Sequence, residues 1–208
     1  KTEPKKITEK NHLNKKRITV GALTMVLTQI VMIAIMTMTP IHMGHHGHSL
    51  GAIGLVIGFH IGSMYLPSLF TGILVDKIGR TAMVIASGVT LLASGIVAAL
   101  APGDSIFLLI VALSLLGIGW NFGLISGTAL IVDATEPLTR AKTQGTVDVF
   151  IALAGASGSA MSGMVVAGSS YEMLSLAGGI LSLILIPVVI WSHKSKAVLT
   201  SDKKVKEL

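Results

Sequence analysis

The amino-acid sequence predicts an all-α polytopic membrane protein of six transmembrane helices, and three observations carry that reading. Of the 208 residues, 51% are hydrophobic and 12% charged, against about a quarter charged in a soluble domain. Six apolar stretches reach the ~20 residues that a helix needs to cross a hydrocarbon core of about 30 Å. Those stretches hold almost no Lys, Arg, Asp or Glu. A chain in lipid must satisfy its backbone internally, which makes them helices.

In chain order the expected spans cover residues 18–41, 50–75, 81–101, 105–132, 145–168 and 173–191. Polar or helix-breaking connectors separate them: Pro102-Gly103-Asp104 after the third, Glu136-Pro137 after the fourth, Ser169-Ser170 before the sixth. Residues 1–17 form a polar N-terminal segment, 18–192 the membrane domain and 193–208 a tail. The first apolar run follows seventeen mostly polar residues and is too long for a signal-peptide core. The chain starts on Lys1, so it reads as part of a longer protein. Cysteine is absent, which removes disulfide and thiolate chemistry.

The basic residues orient the spans. Seven lie in residues 1–17, two in the second connector (Lys77, Arg80), two in the fourth (Arg140, Lys142) and five in the tail, which accounts for all sixteen. With six spans, these segments share one side. The positive-inside rule makes that side cytoplasmic, with both termini there and the chain in the cell membrane. A net charge of +6 placed this way serves topology and the lipid surface, not nucleic acid.

The connector after the second span reads Gly72-Ile73-Leu74-Val75-Asp76-Lys77-Ile78-Gly79-Arg80. Gly72 permits close approach of another helix. Asp76 is placed to cap a helix or pair with an Arg, and Gly79 allows a tight turn into the next helix. The run resembles the GxLxDxxGR signature of the major facilitator superfamily, with Thr81 where the family usually has another basic residue. The stretch from Asp133 through Glu136 and Arg140 to Gly145 is similar to the acidic-then-basic connector of a superfamily half. Gly117–Gly123, Gln144-Gly145 with Asp148, and Met38–Met43 running into His48 resemble uncharacterised bacterial permeases of that superfamily.

This resemblance implies one six-helix half built of two inverted three-helix repeats. The fourth span lacks the Arg typical of N-terminal halves, and residues 1–17 look like the linker between halves, which favours the C-terminal half. The implied activity is secondary active transport of a small solute by alternating access, coupled to protons, with the N-terminal six-helix half as the missing partner. The resemblance also makes Gly72, Asp76, Lys77, Gly79, Arg80, Asp133, Glu136 and Arg140 a conformational motif. In it Asp76 engages a helix end of the other half, and Arg80 engages Asp133 or Glu136.

Polar groups inside spans are the default functional candidates. They are Gln29 in the first span, His60 in the second, Asn121 in the fourth, and Gln144 and Asp148 in the fifth. They form the expected solute or proton pathway. The third and sixth spans offer Ser and Thr, expected to bond their own backbone. His60 falls near the bilayer midplane, as a proton carrier or as a neutral histidine bonded to a neighbouring helix. Asp148 reads either as an interfacial acid or as a deeper coupling group. Gly155, Gly158 and Gly163 with three serines predict close helix packing of the fifth span.

The run from His42 to His48 holds four histidines. Without carboxylate or Cys beside them, it reads as a solvated loop with no metal bound. The alternative function is a self-contained six-span metal-ion transporter or channel using that loop and His60. No HExxH, nucleophile elbow or paired carboxylates point to an enzyme, and no cofactor is implied.

Overall fold

A computed structural model of the chain describes residues 3–191, with side chains from Asn11 onward; the expected basic tail lies outside the described residues. Seven helices follow one another: α1 (Glu3–His45), α2 (Leu50–Tyr65), α3 (Ser68–Ile78), α4 (Arg80–Leu100), α5 (Ile106–Ala134), α6 (Pro137–Gly168) and α7 (Tyr171–Ser182). A turn at residues 183–184 leads from α7 into further helix to residue 191. Five spans are each one long apolar segment, and α2 with α3, bent by 42° at a short break, makes the sixth. The expected N-terminal segment is helical from Glu3 and continues into the first span without interruption.

The break in the second span has a local cause. Pro67 has no N–H to donate and its ring disfavours an unbroken helix. In lipid, a carbonyl freed by such a break needs another donor. Asn121 of α5 supplies it, donating Nδ2 to the Met64 carbonyl at 2.8 Å and to Ser68 Oγ at 2.6 Å. Thr71 Oγ1, on the far side of the break, donates to Asn121 Oδ1 at 2.7 Å.

α5 lies at the centre, packed on α1, α2 and α4, while α6 and α7 complete the bundle through α1 and α4. Numbered as spans, the pairings obey one exchange of first with fourth, second with fifth and third with sixth. The pair α2–α5 then matches α1–α6, and α4–α5 matches α1–α7. That is the pattern of two inverted three-helix repeats. Close crossings need small residues: a Cβ on Gly21 of α1 would lie 2.7 Å from the Gly127 carbonyl oxygen of α5. Gly158 gives the expected close packing of the fifth span, since a Cβ there would lie 2.8 Å from Ile33.

Ser182 donates to Gly179 at 2.6 Å and Thr90 to Ala86 at 2.8 Å within their own helices, as expected, but serines of the third and sixth spans also reach other helices. Ser87 donates to the Gly119 carbonyl at 2.6 Å, Ser94 to Ala112 at 2.7 Å, and Ser182 to Gly88 at 2.8 Å. These bonds join helices. Such bonds average about 0.6 kcal/mol in a membrane, so they pin register and add modest stability.

Candidate functional site

At the end of the bundle that carries Arg17, Arg80 and Arg140, the chain turns from α3 directly into α4. Gly79 makes the turn with φ 100° and ψ 148°, its N–H bonded to the Val75 carbonyl at 3.1 Å. The turn sets Asp76 one helical step from Arg80, and Arg80 Nη2 meets Asp76 Oδ1 at 2.9 Å. Arg80 Nε lies 3.1 Å from Asp133 Oδ2 at the end of α5. The angle at Nε falls short of a hydrogen bond, so this contact is electrostatic. Arg17 Nη2 donates to the same Asp133 oxygen at 3.1 Å. Four charges thus alternate in a chain: Arg17, Asp133, Arg80, Asp76.

Other motif residues take simpler places. Arg140 Nη2 donates to the carbonyls of Val132 and Thr135, both at 3.4 Å, and caps the end of α5. Glu136 is the residue before α6 and makes no side-chain cap; Asp133 alone of the two expected acids meets Arg80. Lys77 is exposed. Gly72 departs from expectation: a Cβ there would meet nothing within 4 Å, so no described helix closes on it. Sequence reasoning counted Arg17 toward topology and missed its part in this chain.

Deeper in the bundle, Gln29 of α1 accepts a hydrogen bond from Trp120 Nε1 at 2.8 Å, and its own Nε2 faces Gly155 of α6. Tyr65 sets its ring edge-on to Trp120, centroids 6.1 Å apart, and stays largely exposed. Both aromatics adjoin predicted positions, yet nothing in their spacing marked them. His60 is fully buried against α5, its Nδ1 2.8 Å from the Leu113 carbonyl. A carbonyl only accepts, so Nδ1 carries the proton and Nε2 has the free lone pair. Nε2 is buried without a hydrogen-bond partner among the described residues. Asn121 is buried too, and its amide is taken up by the break in the second span.

Gln144 and Asp148 lie on α6, which starts at Pro137, eight residues before the expected span. Asp148 is exposed, and about 30 Å of helix separates it from Gly168. Along the same helix it stands about 9 Å from Lys142 and about 12 Å from Arg140. It shares a helix face with Gly155, seven residues on.

The histidine-rich end departs in part from the solvated loop expected: His42 is buried, whereas His45 and His46 are exposed. α1 runs through to His45. His42 is buried and stacks on Tyr171 at 4.3 Å; Tyr171 in turn hydrogen-bonds Thr39 at 2.9 Å. His46 packs on His42 at 4.4 Å, and His48 Nε2 reaches the Gly103 carbonyl at 2.8 Å. Among the described residues no three His, Cys, Asp or Glu are grouped to hold a metal ion.

A family model described as Major Facilitator Superfamily matches residues 21–207. The chain is 76% identical over 180 residues to the uncharacterised MFS-type transporter YdeG of Bacillus subtilis (strain 168), covering 86% of this chain and 42% of that protein. A second uncharacterised MFS-type transporter of that strain, YddS, is 68% identical over 179 residues, covering 86% and 41%. The riboflavin transporter RfnT of Brucella anthropi is 36% identical over 166 residues, covering 79% and 41%. The chain therefore spans about two-fifths of the length of the curated relatives it matches. With a bundle of up to six apolar spans, this signature turn and this family match, the chain belongs to the Major Facilitator Superfamily.

Proposed function

We propose that this chain is the C-terminal half of a proton-coupled secondary transporter that moves a small organic solute by alternating access. The end bearing the arginines is cytoplasmic, and the N-terminal half of the same protein is the partner across the cavity. The observation that carries the reading is Arg80 held between Asp76 and Asp133, which ties the turn between the second and third spans to the end of the fourth. Asp76 keeps most of its side chain exposed (71%), which leaves it available to a helix end of the other half. In the outward-open state this contact holds the cytoplasmic side shut.

Gln29, Trp120 and Tyr65 offer two aromatic rings set edge-on with an amide beside them, suited to an organic solute with hydrogen-bonding edges. The kinship with a riboflavin transporter supports a solute of that general kind. His60, with its free Nε2, is the proton-carrying candidate, and Gln144 and Asp148 line the cytoplasmic end of the path. Asn121 serves by holding the break of the second span.

The test is the full-length protein carrying Asp76→Asn and a single Cys at Ala152, an exposed α6 position one turn above Asp148. Charge-assisted hydrogen bonds are worth about 1.5–3 kcal/mol, so cytoplasmic-side labelling should rise roughly ten- to a hundred-fold. Unchanged labelling with normal turnover would reduce the motif to a helix-packing turn.

A further inference from the structure

We infer that Arg17 is a positioning residue of the conformational latch, binding the cytoplasmic start of the first span into the Asp76–Arg80–Asp133 network. The inference rests on the latch reading above and extends it to a residue outside the signature.

One carboxylate oxygen carries the argument. Asp133 Oδ2 lies 3.1 Å from Arg17 Nη2 and 3.1 Å from Arg80 Nε. Two guanidiniums sharing one oxygen repel each other, and the arrangement holds because Asp133 sits between them and Asp76 faces Arg80 from the other side. The side chains of Arg17, Asp133 and Arg80 are each about one-third exposed (29%, 31% and 29%). Their attraction is therefore only partly screened by water. The residue next to Arg17 is fastened as well: Lys16 Nζ lies 4.0 Å above the Trp191 ring, joining the same turn of α1 to the end of the sixth span. The start of the first span is thereby tied to the fourth span, the third-span entrance and the sixth span.

Two consequences separate this from a charge that merely sets topology. Arg17 and Asp133 must be energetically coupled, because each loses the same contact when the other is changed. Asp133→Asn should be harsher than Arg17→Gln, because it leaves two guanidiniums facing each other without the anion. Removing Arg17 in that background should relieve part of the repulsion.

The experiment uses the full-length protein with the Ala152→Cys reporter and an impermeant thiol reagent applied from the side bearing Arg80. Arg17→Gln should raise labelling about two- to five-fold, the range for one partly exposed ion pair. Arg17→Lys, which keeps the topogenic charge, should raise it less. Arg17→Gln with Asp133→Asn should label no faster than Asp133→Asn alone. Strictly multiplicative effects, or an Arg17→Gln variant that labels like wild type while Asp76→Asn labels faster, would overturn the inference and leave the latch standing. If neither Asp76→Asn nor Arg17→Gln changes labelling, both readings fall. If Arg17→Gln and Asp133→Asn are coupled while Asp76→Asn is silent, Arg17 keeps its role and the signature Asp loses its own.

Discussion

Gly79 shows how much one residue decides. Its φ of 100° lies where an L side chain is strained, and the turn it makes places Asp76 within 2.9 Å of Arg80. Gly79→Ala has open space for its methyl group, so any cost comes from the backbone, about 1–3 kcal/mol. The expected outcome is a folded protein with a lower thermal midpoint in detergent and partial loss of the Arg80–Asp133 contact. A midpoint equal to wild type would mean that the turn relaxes without strain. Sequence reasoning anticipated this glycine, because a GR pair opening a span leaves no room for a longer loop. It did not anticipate Arg17, whose partner lies 116 positions away.

Among the elements, the broken second span departs most from a plain reading of apolar runs. Hydropathy sees residues 50–75 as one stretch, since Pro67 changes it little. The backbone sees a missing donor, and the 42° bend follows. Asn121 then carries three hydrogen bonds that serve the break on both sides. Asn121→Leu removes them and leaves the Met64 carbonyl without that donor, which costs about 1–3 kcal/mol. Adding Pro67→Ala, which returns an N–H for the Ser63 carbonyl and lets the helix close so that the Ser68 N–H reaches Met64, should recover part of the lost thermal stability. The check is the midpoint of both variants in detergent. An Asn121→Leu protein as stable as wild type, with transport intact, would remove Asn121 from the working structure altogether.

For the whole molecule, the charge distribution and the cavity make separate predictions. Every Lys and Arg falls in segments that share one side of six spans, so a single Cys at Lys77 should resist an impermeant reagent in intact cells and react in inverted vesicles. The protein supplies a clean background, having no native Cys. Labelling in intact cells would invert the topology. Transport, in turn, needs both walls of a cavity. Residues 1–208 reconstituted alone should show no saturable uptake of solute, and such uptake would mark the six-span bundle as self-sufficient.

What the sequence determined by itself was the set of terms that act locally or through the solvent: apolar length, the side on which basic residues fall, the glycine turn. A bilayer imposes these one segment at a time, so they can be read one segment at a time. The pathway candidates were legible as residue types and not as roles. Gln29, His60 and Asn121 all stood out as polar groups in lipid, yet Asn121 proves to splint a broken helix while His60 keeps a bare nitrogen. Of the histidine run, read as a loop, His42 and His45 form the last turn of α1 while His46 and His48 follow it, and Tyr171 and Gly103, far along the chain, receive the rings of His42 and His48. Tertiary structure decided these cases for one physical reason: in a medium without water, a polar group's role depends on which partner it meets, and those partners come from other helices.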